Sequence, residues 1–139
     1  MQPSGYSGTP LTKKLGIKEG FTVSIFNQPE HYFKLFTELP QIKITKDKKI
    51  KKDFIHYFVT KEKELIREIN NLKEQIVQNG MIWISWPKKS AKVKTDITED
   101  VIRNIALKNG LVDIKVCAVD EVWSGLKLVI PVTDRRRKP

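Results

Sequence analysis

The chain reads as a small α/β protein, a three-layer sandwich whose mostly parallel sheet of about six strands ends in an antiparallel hairpin. Three observations carry that reading. Residues 54–59 and 81–86 are apolar at both odd and even positions, as strands covered on both faces are. Stretches with apolar residues at helical spacing follow each of them. The last two strand-like runs, 112–118 and 126–130, are joined by a link too short for a parallel return, so they make a hairpin.

The elements follow in order. Residues 9–16 predict a short helix, with Thr9 as cap, Pro10 at the first helical position and Gly16 as the stop. A first strand at 21–26 breaks at Asn27-Gln28-Pro29, because proline has no N–H for a ladder. Residues 30–39 suit a short helix with Phe33 and Phe36 inward, closed by Pro40. Residues 41–45 alternate polar and apolar, and their lysines suit a sheet edge. The 54–59 strand comes next. Thr60 then caps a helix over 61–78, where Leu65, Ile69, Leu72 and Ile76 recur at helical spacing and Asn79-Gly80 ends the pattern. Pro87 stops the 81–86 strand, and a basic loop spans 88–95. Thr98 caps the next helix, Glu99 and Asp100 favour its positive end, and Ile97 can staple onto Ile102.

This order predicts right-handed β-α-β units, with two helices on each face of the sheet once the short helix near residue 12 is counted. A strand order beginning 2-1-3-4 would open a crevice between strands one and three. A single domain over 1–133 is expected, followed by a basic, disordered tail over 134–139.

The formal net charge of +10 is concentrated. Residues 43–52 hold six lysines and Asp47, a net +5, and residues 134–138 add +3. No apolar run approaches the ~18 residues that span a bilayer. The first residues lack the charged and apolar regions of a leader, and the single Cys117 precludes an internal disulfide. A cytoplasmic location is expected on those grounds.

Several phrases carry a resemblance. They are Gly5-Tyr6-Ser7-Gly8-Thr9-Pro10-Leu11, Lys13-Lys14-Leu15-Gly16-Ile17, Trp86-Pro87-Lys88-Lys89, Thr95-Asp96-Ile97-Thr98-Glu99-Asp100, the run from Leu111 to Glu121, and Trp123-Ser124-Gly125-Leu126-Lys127. Together they resemble a bacterial domain-of-unknown-function family of similar length. The likeness covers Gly5 to Val129 and departs over 39–52, which is lysine-rich here. It implies a bacterial, cytoplasmic origin and a small Rossmann-like fold, and no catalytic activity. The strand layout is also similar to class I methyltransferases, shortened by about one strand.

The residues argue against the chemistry of that layout. A cofactor site needs a glycine-rich turn after strand one, whereas here the turn is Asn27-Gln28-Pro29-Glu30, with an acid that repels phosphate. The carboxylate nearest the end of strand two, Asp47, lies among lysines. No cofactor is therefore expected. No catalytic residue is assigned: Asp120 and Glu121 read as turn acids, and Ser7 and Ser24 lack a glycine-flanked elbow. His56 reads as a core histidine, and His31 has no carboxylate or second ligand at metal spacing. With one cysteine and two histidines, no metal site is expected.

Three surfaces remain. Asn27, Gln28 and Thr60 would line the crevice, with Trp86, Lys88 and Lys89 leaving the next strand beside it to hold a small anion. Trp123 and Lys127 would form a partner surface. Lys46, Lys48, Lys49, Lys51 and Lys52, with Arg135, Arg136 and Arg137, would grip a nucleic-acid backbone, though no aromatic stripe is interleaved with them. The reading is a non-enzymatic binding domain for a protein partner or a small anionic ligand. The alternatives are a degenerate S-adenosylmethionine-dependent methyltransferase and a nonspecific nucleic-acid binder.

Overall fold

The computed structural model describes residues 9–135. In chain order the elements are α1 (Leu11–Leu15), β1 (Thr22–Phe26), β2 (Lys43–Ile44), β3 (Lys52–Phe58), α2 (Glu62–Glu74), β4 (Ile76–Pro87), α3 (Glu99–Lys108), β5 (Val112–Ala118) and β6 (Trp123–Val129). The strands form one sheet in the order β2-β1-β3-β4-β6-β5. Strands β2, β1, β3 and β4 are parallel, and β6 runs antiparallel to both β4 and β5. The fold is thus α/β with a mixed, mostly parallel sheet and an antiparallel end. Its order reverses at β1, which opens the topological switch point between β1 and β3.

Strand alternation sends Ile55, Tyr57, Ile82, Ile84 and Trp86 to one face, where Leu65 and Ile69 of α2 and Ile102 of α3 cover them. Val23, Ile25, Phe54, Phe58 and Trp83 take the other face, beneath Leu15 and Tyr32. The two faces are unequal: α2 and α3 cover the first, and five-residue α1 with one 3-10 turn, Tyr32–Leu35, covers the second. The expected helix over 30–39 is that single turn. Phe36 is already extended, and Phe33 is 47% exposed rather than inward. Tyr32 takes the inward place.

The starting signals of α3 hold. The Thr98 Oγ1 accepts the Val101 N–H at 3.2 Å, and Ile97 and Ile102 are buried in one cluster. Arg103 pairs with Glu99 and Asp100 on its own helix and reaches Asp113 at 3.0 Å, which ties α3 to β5. Gly16, at φ +82°, ends α1.

Other expectations need correction. Thr60 does not cap α2. Lys61 occupies the cap position without a side-chain bond, and Asp96 Oδ1 accepts the Glu62 N–H at 2.7 Å from across the fold. The helix stops at Glu74, and Ile76 opens β4. Between the pairs Lys52↔Ile76 and Phe54↔Met81, β4 spends more residues than β3, so it bulges. A Cβ on Gly80 would lie 3.0 Å from the carbonyl oxygens of Lys52 and Val77, so a side chain there would crowd the backbone of the bulge. Strand β6 begins at Trp123, which shortens the hairpin link. A 3-10 turn at Val132–Asp134 crosses the expected boundary at 133, and Arg135 Nε donates to the Ile130 carbonyl at 3.0 Å. Arg135 is therefore anchored to the domain, while Arg136, Arg137 and the rest of the basic tail lie outside the described residues, as do Gly5 to Gly8. No helix among the described residues is long and apolar enough to cross a membrane.

Candidate functional site

The carboxyl ends of β1, β3, β4 and β5 and the start of β6 share one edge of the sheet, because β5 runs parallel to β4. That edge gathers Asn27, Gln28, His31, Thr60, Lys88, Lys89 and the Asp120–Trp123 link.

At the switch point, Asn27 leaves β1 at φ +59°, a left-handed conformation that asparagine tolerates. Its Nδ2 donates to the Phe58 carbonyl at 3.1 Å and to Glu64 Oε2 at 3.2 Å. Glu64 also accepts the Tyr57 hydroxyl at 2.7 Å. Burial, and the carboxylate of Glu64 beside it, push the Tyr57 phenol above its ordinary range, so it stays a neutral donor. The crevice is thus bridged by the chain's own side chains. Beside it lies a groove of about 110 Å³, lined by Phe26, Tyr57, Lys46, Lys48, Glu68 and Gln75. Gln28 is exposed, and the Thr60 carbonyl accepts the Thr95 hydroxyl at 2.7 Å.

A second bridge crosses the same edge. His31 Nε2 lies 2.9 Å from Asp120 Oδ2, while Asp120 Oδ1 accepts the N–H groups of Val122 and Trp123, each at 2.8 Å. Asp120 is therefore a turn acid that also holds the loop after β1. This pairing, across 89 positions, has no local signal in the sequence.

Below the loop, buried Tyr32, His56 and Ser85 form a chain of hydrogen bonds. Tyr32 Oη lies 2.9 Å from His56 Nδ1, and His56 Nε2 lies 2.7 Å from Ser85 Oγ. Burial lowers the His56 pKa to about 3 and raises that of Tyr32, so both stay neutral near pH 7. His56 is fully buried and stacks on Phe58 with ring centroids 4.3 Å apart, the place of a structural histidine.

The proposed aromatic–lysine surface is divided. Trp86 is 8% exposed and faces α2 and α3, because it shares the parity of Ile82 and Ile84. It is a core residue rather than a ligand platform. Trp123 is half-buried on the opposite face, edge-on to Phe58 at 5.0 Å. Lys127 shares that face but sits four residues along β6, about 13 Å away at strand spacing. Lys88 is half-buried, with its backbone N–H bonded to the Val122 carbonyl at 2.7 Å, and Lys89 is exposed.

The lysine run is divided too. Lys52 is fully buried, and its Nζ donates to the Asp47 carbonyl at 2.7 Å and to Gln75 Oε1 at 2.8 Å. Burial lowers its pKa while Asp47 opposes that effect. Lys51 donates to the Glu74 carbonyl at the end of α2, where a cation suits the helix dipole, and the Lys46 ammonium sits 5.3 Å from the Phe26 ring centre. Lys52 is therefore a brace for the loop before β3 and not part of a nucleic-acid surface. Lys52→Met should leave Gln75 and the Asp47 carbonyl without their donor and lower stability by about 1–3 kcal/mol in urea unfolding. Lys49→Ala, at an exposed position, should stay within about 0.5 kcal/mol.

Solved structures similar to the chain include methyltransferases. A Sulfolobus solfataricus protein assigned as a type 11 methyltransferase is 14% identical, with a TM-score of 0.63 over 91% of this chain and 93% of its own. A SAM-dependent methyltransferase of Aquifex aeolicus is 16% identical, with a TM-score of 0.61 over 87% of this chain and 88% of its own. The magnesium protoporphyrin IX methyltransferase of Synechocystis PCC 6803, solved with bound SAH, is 12% identical, with a TM-score of 0.57 over 86% of this chain and 78% of its own. The sheet is a methyltransferase-like Rossmann sheet. No family model matches the chain, and no curated protein matches it. At these identities the likeness is one of fold alone.

Proposed function

We propose that this chain is a non-enzymatic binding domain for an anionic partner, built on a methyltransferase-like frame. The observation that carries the reading is the bridged switch point. Asn27 spans β1 and β3 to reach Phe58 and Glu64 at the place where open α/β sheets bind their ligands. The groove left beside it, about 110 Å³, is well below the ~300–1,000 Å³ of sites that take a drug-sized or nucleoside-sized molecule. Glu64 adds a carboxylate there that would repel the phosphates of a dinucleotide. The net charge of +10 favours acidic partners over neutral ones.

A thermal-shift titration at low salt tests this. A ligand present at about 100 times its Kd stabilises the fold by about 2.7 kcal/mol, a rise of roughly 8 °C in a domain of this size. S-adenosylmethionine and S-adenosylhomocysteine are expected to give no rise. A dose-dependent rise with either would overturn the reading and restore the transferase.

A further inference from the structure

β5 is the last strand of the sheet, and its outer edge has no strand beside it among the described residues. Natural edge strands are blunted by brevity, charge, proline or a bulge, and β5 carries a charge and a bulge, at Lys115 and Ile114, which guard it against a like-charged copy. β5 runs for seven residues without proline and shows solvent Ile114 at 56% exposure and Val116 at 46%, with exposed Lys115 between them. The register shift between Asp113 and Lys115 places Ile114 in a bulge.

The two faces of this edge differ. Val116 pairs with Leu126, so it lies on the α2–α3 face, beyond the cover those helices give. Lys115 pairs with Lys127, so two like charges stand directly opposite on the other face, an arrangement that costs free energy. Lys127 is half-buried, and burial first, then the charges of Lys115 and Lys18, press its pKa down. Among the described residues, no acid lies within ion-pair distance of Lys18, Lys115 or Lys127. Val116 therefore gives the α2–α3 face of this edge an apolar residue, beside the Asp113–Arg103 ion pair, and Lys115 gives the other face its charge, with Ile114 in the bulge between them.

We propose that the outer edge of β5 takes an extended acidic segment of another protein as a seventh strand, with apolar and acidic side chains in alternation. Its main chain pairs with β5 beyond the bulge, an apolar side chain covers Val116, and its carboxylates meet Lys115, Lys127 and Lys18. This deepens the binding reading above and rests on it. Charge selects the occupant. A second copy would bring Lys115 toward Lys115 and one net charge of +10 against another. A nucleic acid would satisfy the lysines and leave Val116 exposed.

The test is fluorescence anisotropy with the full chain and a labelled peptide of alternating glutamate and valine. Controls are an all-glutamate peptide, an alternating peptide N-methylated along one edge, and a single-stranded oligonucleotide of equal charge. The alternating peptide should bind at least tenfold more tightly than each control. Lys115→Glu should weaken it at least tenfold; because Lys115 Nζ also donates to the Lys14 carbonyl at 3.0 Å, Lys115→Gln, which keeps a donor, should weaken it too while leaving the circular dichroism spectrum and urea midpoint unchanged. Equal binding by the all-glutamate peptide or the oligonucleotide would overturn the proposal, as would indifference to N-methylation or no binding of the alternating peptide at low salt. A dimer in sedimentation that competes with the peptide would assign the edge to a second copy and overturn it too. S-adenosylmethionine melting curves run alongside separate the two claims. No peptide binding and no melting response removes the strand-addition proposal alone, whereas a melting response removes the binding-domain reading.

Discussion

Between pH 7 and pH 5 the protein should lose about 2 kcal/mol of folding stability through His56 alone, and about 4 kcal/mol by pH 3. His56 is fully buried in β3, held between Tyr32 Oη and Ser85 Oγ. Burial lowers its pKa from 6.5 to about 3, because desolvation penalises the charged imidazolium. The unfolded chain takes up a proton on this ring near pH 6.5, and the folded chain does not do so until about pH 3. Protonation therefore favours the unfolded state. The contribution is whole above pH 6.5, erodes as the pH falls, and is gone below about pH 3. Against a typical total of about 5–15 kcal/mol, this is a large share. Urea unfolding at pH 7, 6, 5 and 4 reads it directly. His56→Gln should be less stable at pH 7 yet show a flatter profile, so the gap between the two proteins closes on acidification. A constant gap would mean that the imidazole is not held neutral. An NMR titration gives a second measure, since the His56 ring resonances should not move above pH 4.

The sheet was legible in the sequence because its two central strands are covered on both faces and say so in their composition. Residues 54–59 and 81–86 each lie within an observed strand, apart from Val59 at the end of the first. The end of α2 was not legible, for a specific reason. Ile76 continues the spacing of Leu65, Ile69 and Leu72 and is buried in the same cluster, but as the first residue of β4. Hydrophobic spacing reports which face a side chain reaches and not which backbone carries it there. The segment after β1 failed differently. Pro29 and Pro40 bracket a run with helical propensity, and the inward pull of Tyr32 onto His56 and Phe58 is satisfied by a single turn.

The candidate site was less legible because its bonds are long-range. Asn27 stands out in the sequence for its place at the end of β1, but its partner Glu64 lies 37 residues on, and nothing local links them. The His31–Asp120 contact is longer still, and only the tertiary fold brings the loop after β1 over the last hairpin. Trp86 could have been placed from the sequence: in a strand with Ile82 and Ile84, equal parity means a shared face. Lys52 could not, because a run of lysines reads as uniformly solvated until one of them is found bracing a loop.

Trp83→Ala should cost about 3–5 kcal/mol, the range for removing a large buried aromatic. Trp83 does more than fill space. Its Nε1 donates to the carbonyl of Leu15, the last residue of α1, at 2.8 Å. A helix of five residues is too short to hold itself, so α1 depends on the sheet for its structure. Trp83→Phe keeps much of the ring but leaves that buried carbonyl without a donor, an expected loss of about 1–3 kcal/mol. Amide exchange should then quicken over residues 11–17 and stay unchanged in α2 and α3. Gly125 on β6 tests the same ring from below. A Cβ there would lie 3.0 Å from Trp83 Cε3 and 3.2 Å from Ser85 Oγ, so Gly125→Ala should overpack the core at a cost of about 1–3 kcal/mol. The smaller ring of Trp83→Phe makes room for that methyl group, so the double variant should lose less than the two single losses together. Additive losses would mean instead that the β6 backbone shifts to take the methyl group, and that the indole and Gly125 are neighbours without being energetically coupled.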